Sequence, residues 1–313
     1  MKKIKHILRA RQAVAIAVLL SVCFGFMGVF IRMMGESFGN FQQVYLRVLL
    51  AGLLALIVFR PKRSKRLFSS LTTKEWTMYG LRALAAYTIG IASFTIAIRN
   101  ADLGVVSLLS LLPTFGLLAF IMFGEKLPLS SIPFLILSLV GVFFLSGISL
   151  HNFHFGIGII TALIAGLGAN VGFLMARLHK KERNNYENTT IVLLLGWIPV
   201  FVVSLLAHER FIPRHVSLAA IAGLALSVVL NIILLFMINY VFTNLKAYVA
   251  GNILLLEGVW SVIIGLVIYG EPVTMAIAIG ALLVVASAVA INKIDDRVEE
   301  APILPVGELE KTH

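Results

Sequence analysis

Apolar positions along this chain gather into helix-length runs separated by short polar connections. Ten runs stand out, at about 13–33, 42–59, 76–97, 102–123, 131–149, 156–177, 189–207, 217–240, 247–269 and 274–292. Each approaches the roughly 20 residues that an α-helix needs to cross a bilayer at about 1.5 Å per residue. Hydrophobic residues make up 59% of the chain and charged residues 13%, about half the charge of a soluble domain. The pattern predicts an all-α integral membrane protein with ten transmembrane helices. The connections near residues 100 and 245 are only a few residues long, so nine or eleven spans are the neighbouring counts, and either would break a two-fold organisation.

Two runs repeat one pattern. Leu108–Leu127 reads LLSLLPTFGLLAFIMFGEKL and Gly251–Val273 reads GNILLLEGVWSVIIGLVIYGEPV. Each carries a helix-weakening residue, Pro113 or Gly258, and closes on a Gly-Glu pair that ends at Glu125 or Glu271. The glutamates are 146 residues apart and the helix-weakening residues 145, a slip of one. A period near half the chain length is an internal duplication, which in a membrane protein marks a repeat-built transporter. It predicts a first five-helix repeat with a basic N-terminus over 1–153, a second over 154–293, and a polar, disordered tail over 294–313. Five is odd, so the second repeat enters from the opposite face. The expected architecture is two inverted five-helix repeats about an axis in the membrane plane, with the binding site near the midplane and the halves exchanging roles as gates.

The formal charge of +11 points to topology and to no nucleic-acid partner. With the N-terminus in the cytoplasm, inner segments hold 20 of the 26 Lys and Arg, among them Lys2, Lys3, Lys5, Arg9, Arg60, Lys62 and Arg177. Outer connections hold Arg32, Arg99, Arg210 and Arg214, and Arg47 and Arg82 lie within spans. This positive-inside bias predicts a multi-pass protein of the cell (inner or plasma) membrane with both termini cytoplasmic. The basic start could be misread as a signal peptide, but its apolar run continues to about Ile31 with no clear cleavage site. Cys23 is the only cysteine, which rules out a disulfide framework and a cysteine-based metal site. The acceptor-like Asn188-Thr189-Thr190 falls at an inner membrane edge.

Several polar residues stand within the apolar runs. Glu257 lies about 10 Å into the ninth span, where a charge costs about 2.5–3.5 kcal/mol and usually faces a cavity or a partner. It can bind a substrate ammonium group or exchange a proton. The plainer alternative is a structural acid, protonated or paired with a neighbouring helix. Trp260 and Ser261 follow at i+3 and i+4 on its face, and a Trp beside a carboxylate suits a cationic or aromatic ligand as well as plain packing. Arg47, one turn below Gln43, can hold a carboxylate bidentately or snorkel to headgroups. For Arg82 snorkelling is the expectation. Pro113 frees the carbonyl of Leu109 beside Ser107, Ser110 and Thr114, as a broken-helix site would, and Gly258 is the matching hinge. Tyr87, Asn170, Asn231 and Asn252 either line the cavity or hydrogen-bond between helices. Gly166, Gly168 and Gly172 make a close-packing face, and Glu125 and Glu271 are gate candidates at opposite faces.

The ordered set of motifs resembles the drug/metabolite transporter superfamily, and within it the ten-span EamA-like family, over about residues 13–293. YLRVLLAGLLAL at Tyr45–Leu56 resembles that family's second helix, and AIRNADLGVVSLLSLLPTFGLLAFIMFGEKL its third-to-fourth helix segment. LLLEGVWSVIIGLVIYGEPVT resembles its ninth helix, with Gly258 where the family carries proline. The resemblance implies a transporter of small metabolites such as an amino acid or drug-like compound, often an exporter, with no cofactor and with the lipid bilayer and a small-molecule substrate as partners. An intramembrane enzyme is the different-class alternative. No HExxH, GxSxG or Cys/His cluster is present, and none of the seven histidines lies mid-span. A passive channel or uptake facilitator is the other, although a charged ring would need more than one Glu257. Proton coupling through Glu257 is an option, and nothing in the sequence bears on oligomeric state.

Overall fold

The computed structural model describes residues 2–35, 37–59, 67–68, 71–100, 106, 109–110, 114–145, 156–179, 183–210, 213, 215–270 and 272–300. These residues form helices and connections, with no strand among them. Eight helices are long and apolar enough to cross a membrane. They are α1 (Lys2–Met34, apolar over Ala10–Met34), α2 (Asn40–Phe59), α3 (Thr73–Asn100), α6 (Ile157–Leu178), α7 (Asn185–Leu206), α8 (Leu218–Asn244), α9 (Ala247–Tyr269) and α10 (Met275–Glu300, apolar to Ile294). Two shorter apolar helices, α4 (Thr114–Phe123) and α5 (Leu129–Leu145), complete ten helical segments among the described residues, at the ten predicted places. Large side chains such as Ile57, Ile121 and Leu282 stay exposed on the perimeter, as lipid-facing residues do.

Local chemistry sets the helix ends. Thr72 and Glu75 form a reciprocal capping box at the start of α3, satisfying two backbone donors that the first turn leaves unpaired. Asn184 caps α7 by accepting from Glu187 N at 2.8 Å, and Ser217 caps α8 by accepting from Ala220 N at 3.1 Å. The repeated Gly-Glu motif is also explained here. Gly124 and Gly270 both take positive φ, 67° and 66°, the left-handed conformation that stops a helix and favours glycine.

Packing follows the duplication. α1 packs on α8 as α6 packs on α3, while α2 pairs with α7 and α5 with α10. Exchanging the two halves maps this set of contacts onto itself. Equivalent helices run in opposite directions. The start of α2 meets the end of α7, where Phe41 N donates to Glu209 at 3.1 Å, and the end of α2 meets the start of α7, where Phe59 and Tyr186 rings lie 4.9 Å apart. In the same sense Ser287 of α10 donates to the Phe134 carbonyl near the start of α5 at 2.6 Å, while Gly280 sits against Leu145 at its end. The α3–α6 crossing is closest at Gly168 and Gly172, where an added Cβ would come within 2.6 Å of Ile89 and Ala86, so only glycine allows that approach.

Two helices depart from regular geometry near the membrane centre. α3 widens into a π-helix over Leu84–Ala92, and α9 is interrupted at Leu255, dividing Ala247–Leu254 from Leu256–Tyr269. Below, the membrane face at which α1 begins is the proximal face, and the opposite one the distal face.

Candidate functional site

The π stretch of α3 and the break in α9 border one cavity of about 150 Å³, lined by α1, α2, α3, α4, α6, α8, α9 and the residue Ser110. It reaches from Arg32 and Tyr269 at the distal rim to Phe24, Phe115 and Phe173 at the proximal floor. Such irregular backbone at membrane depth is tolerated where it lines a cavity.

Seven of the polar residues singled out from sequence meet on its wall: Arg47, Tyr87, Ser110, Asn170, Asn231, Glu257 and Ser261. Arg47 projects from α2 and is 1% exposed; its Nη1 lies 3.7 Å from the Met27 sulfur, and its Nε has no hydrogen-bond partner among the described residues. Glu257 sits in the first turn after the α9 break. Neither residue forms an ion pair among the described residues. Asn231 Nδ2 donates to the Ser227 carbonyl at 2.7 Å, and Ser110 Oγ donates to the Ala162 carbonyl at 3.1 Å. Tyr87 comes from the π stretch, its ring seated in the space that Gly196 leaves on α7. An arginine from the first half and a carboxyl group able to carry charge from the second thus share an otherwise largely apolar chamber. In low dielectric such charges act on a ligand far more strongly than in water.

Other singled-out residues lie elsewhere. Trp260 turns away, its indole Nε1 donating to Ser21 Oγ at 3.1 Å. Asn252 accepts from Ser287 Oγ at 3.2 Å, tying α9 to α10. Gln43 is fully buried outside the cavity lining, with both amide atoms unpartnered. Gly258 lies three residues after the break, its N–H bonded to the Leu255 carbonyl at 3.1 Å. Pro113, the Thr114 side chain and Glu271 lie outside the described residues. Glu125 stands at the proximal face, ion-paired with Arg177 and accepting from Ala247 N at 2.7 Å.

Arg82 does not snorkel. It is fully buried, donating to the Gly172 carbonyl at 2.9 Å and Asn239 Oδ1 at 2.6 Å, with His179 Nε2 2.8 Å away. Carbonyl and amide acceptors on α6 and α8 hold it more firmly than headgroups would. Burial, with Arg82 beside it, pushes the His179 pKa far below its ordinary value, so the ring stays neutral and can accept from the guanidinium.

The aromatic floor and the rim pair Arg32–Tyr269, whose guanidinium carbon lies 5.0 Å from the ring centroid, were not anticipated. Nothing distinguishes three floor residues among 21 phenylalanines, and Arg32 reads as an ordinary loop cation.

The sequence matches the EamA-like transporter family over residues 11–147 and again over 156–293. Two Helicobacter pylori proteins, from strains J99 and 26695 and each named "Uncharacterized transporter", are 23% and 22% identical over 292 residues, covering 89% of this chain and 93% of each relative. A protein of known crystal structure shares the fold with a TM-score of 0.73 at 17% identity, covering 93% of this chain and 99% of its own. Two consecutive family matches divide between α5 and α6, where the helix packing places the boundary between equivalent halves. The chain belongs to the EamA-like transporter family and is a multi-pass membrane transport protein.

Proposed function

We propose that this protein is a secondary transporter that exports a small organic metabolite carrying both a positive and a negative group, such as an amino acid or an amphoteric drug-like compound. The observation that carries the reading is the shared cavity wall of Arg47 and Glu257, a guanidinium and a carboxyl on different halves with no ion-pair partner among the described residues. Arg47 receives the cargo anion through its planar fork, Glu257 receives the cation, and Tyr87, Ser110, Asn170, Asn231 and Ser261 offer neutral hydrogen bonds. The aromatic floor takes the apolar body.

Residues 1–153 and 154–293 act as inverted repeats that exchange gate roles in alternating access, with Pro113 and the α9 break as hinges and Glu125 and Glu271 at the gates. The basic proximal connections support a cytoplasmic position for that face and both termini, in a cell with this protein in its inner or plasma membrane. The cavity then faces outward here, the conformation from which an exporter releases cargo. Glu257 is placed to take up a proton as the cargo cation leaves, which couples export to proton entry.

Untargeted mass spectrometry of medium and cytosol, from cells producing wild type or Glu257→Gln, tests this directly. One metabolite class enriched outside only with wild type identifies the cargo and confirms export. Depletion outside with accumulation inside reverses the direction, and no difference, together with no saturable flux in proteoliposomes, refutes transport through this cavity.

A further inference from the structure

The first turn of α2, the helix that carries Arg47, is capped from the other half of the molecule. Helices α3, α7 and α8 each begin on a side chain that receives an early amide, from Thr72, Asn184 and Ser217. At the start of α2 the cap position falls to Gly39, whose carbonyl accepts from Gln43 N at 3.1 Å and which has no side chain to offer. The amides that a cap residue serves are those of the second and third helical residues. In α2 these turn to Glu209, just past the end of α7. Phe41 N donates to both carboxylate oxygens at 3.1 Å, and Gln42 N donates to Oε2 at 2.8 Å. Gln42 closes the other side of the turn, its Oε1 accepting from Gly39 N at 3.1 Å. A capping box is thus assembled from two segments 167 residues apart.

Two further features aim Glu209 at that turn. α7 ends on His208, the one non-glycine among the described residues with a positive φ, 53°. With His208 left-handed, Glu209 N donates back to the Ser204 carbonyl at 3.1 Å and His208 N to the Leu205 carbonyl at 3.0 Å, a closure that usually falls to glycine. The Ser204 hydroxyl then donates to Glu209 Oε2 at 3.0 Å. On the receiving side, a Cβ added at Gly39 would stand 2.7 Å from the Glu209 carboxylate carbon, so a side chain there would displace the carboxylate. A strained residue on one half and a missing side chain on the other serve the same contact.

Arg47 stands on the helix so held, two turns below Gly39. Among the described residues its Nε has no partner and it joins no ion pair, so the guanidinium takes its position from the α2 backbone. Below the first turn α2 lies on α7 through apolar contacts, Gly52 against Leu194 and Phe59 against Tyr186. We propose that Glu209 is a positioning residue for cargo recognition: by capping α2 from the opposite half, it sets the depth and rotation at which Arg47 meets the cargo anion. The proposal rests on the reading of Arg47 as the group that receives that anion.

The test measures binding of radiolabelled L-leucine and of isoamylamine, the same molecule without its carboxylate, to the full chain in detergent. Isoamylamine keeps the ammonium for Glu257, so the preference for L-leucine reads the anion contact. Wild type should prefer L-leucine and Arg47→Met should not. Glu209→Ala and Gly39→Ala should each lower the preference roughly tenfold, the loss of one of the two bonds of the Arg47 fork, and leave isoamylamine binding nearly unchanged. Glu209→Gln, which retains an acceptor oxygen, should lose less. Gly39→Ser in the Glu209→Ala background separates a cap from a clamp, because serine caps α2 from within its own chain segment. It should restore hydrogen-exchange protection to the first turn of α2 without restoring the preference. Wild type with no preference for L-leucine refutes the Arg47 reading and the proposal with it. A wild-type preference that persists in Glu209→Ala and Gly39→Ala, or returns in full with Gly39→Ser, overturns the positioning role and leaves the Arg47 reading intact. So does equal weakening of both ligands, the mark of a merely structural contact.

Discussion

Replacing Arg47 by methionine separates a cargo-binding arginine from a structural one, because the two roles predict opposite changes in stability. Arg47 is 1% exposed, its nearest polar contact is the Met27 sulfur at 3.7 Å, and its Nε bonds to nothing. A buried charge without a counter-charge costs several kcal/mol, and apolar residues of similar volume in its place are often stabilising by about 1–4 kcal/mol. Arg47→Met keeps much of the side-chain length and removes the charge. The cargo-free protein should therefore melt a few degrees higher in detergent. Cargo recognition should move the other way. A hydrogen bond to a charged group contributes about 1.5–3 kcal/mol, and each 1.4 kcal/mol is about tenfold in affinity. The half-saturating cargo concentration in proteoliposomes should rise at least tenfold. Arg47→Lys should show the affinity loss with little change in melting, since lysine keeps the charge and lacks the fork. A variant Arg47→Met that melts lower than wild type while half-saturation stays put would mean that Arg47 holds helices together, and the reasoning would be refuted.

Three further outcomes follow from other parts of the molecule. Glu257→Gln should fold and melt at least as well as wild type, since the residue bonds to no neighbour in the ion-pair network, yet its flux should drop and lose its dependence on a proton gradient; undiminished gradient-driven flux would remove Glu257 from the mechanism. In Gly196→Ala the new Cβ would fall 2.4 Å from the Tyr87 ring, so we expect a loss of about 1–3 kcal/mol from overpacking and a displaced Tyr87 that slows transport, whereas wild-type melting would show that α7 has room. His179 is held neutral in the fold by burial and Arg82, against an ordinary value of 6.5. As pH falls through about 6.5 the unfolded chain takes a proton that the folded one refuses, so this contribution to stability is present above that pH and is lost below it by up to about 1.4 kcal/mol per unit. Melting temperature measured from neutral to mildly acid pH should fall more steeply for wild type than for His179→Gln, and parallel slopes would contradict the assignment.

Hydropathy placed the helices because lipid imposes a strong condition on every residue of a span. It was silent on backbone irregularity. The π stretch at Leu84–Ala92 has no proline or glycine pair to announce it, and the α9 break falls at Leu255, an ordinary helix former, three residues before the glycine that sequence pointed to. Periodicity chose correctly between Glu257's neighbours only in part. On a helix, i+4 lies about 40° from i and i+3 about 60° on the other side; Ser261 faces the cavity, while Trp260 swings toward α1 and bonds to Ser21. Arg82 and Arg177 were read by depth and loop position, yet both are defined by acceptors on other helices, the Gly172 carbonyl for one and the Phe242 carbonyl for the other. Such partners are tertiary, and no local pattern encodes them.

The duplication is legible and the state is not, for a physical reason. Repeated residues such as Gly124 and Gly270 record geometry common to both halves, and the same left-handed cap serves at both faces. Arg177 reaches two carbonyls at the end of α8 and the Glu125 carboxylate, partners on other helices that the repeat by itself does not name. Alternating access of the kind proposed needs two arrangements of similar energy, differing by a few such hydrogen bonds. A cargo that binds between Arg47 of one half and Glu257 of the other touches both halves at once, so it can favour one arrangement over the other only through those two contacts and the floor beneath them. Removing either charge should therefore weaken the cargo's ability to change the rate at which an impermeant maleimide added from the proximal face labels Ser261→Cys in a Cys23→Ala background, even at concentrations high enough to restore occupancy. A cargo that still shifts the labelling fully in Glu257→Gln would place the coupling in the aromatic floor alone.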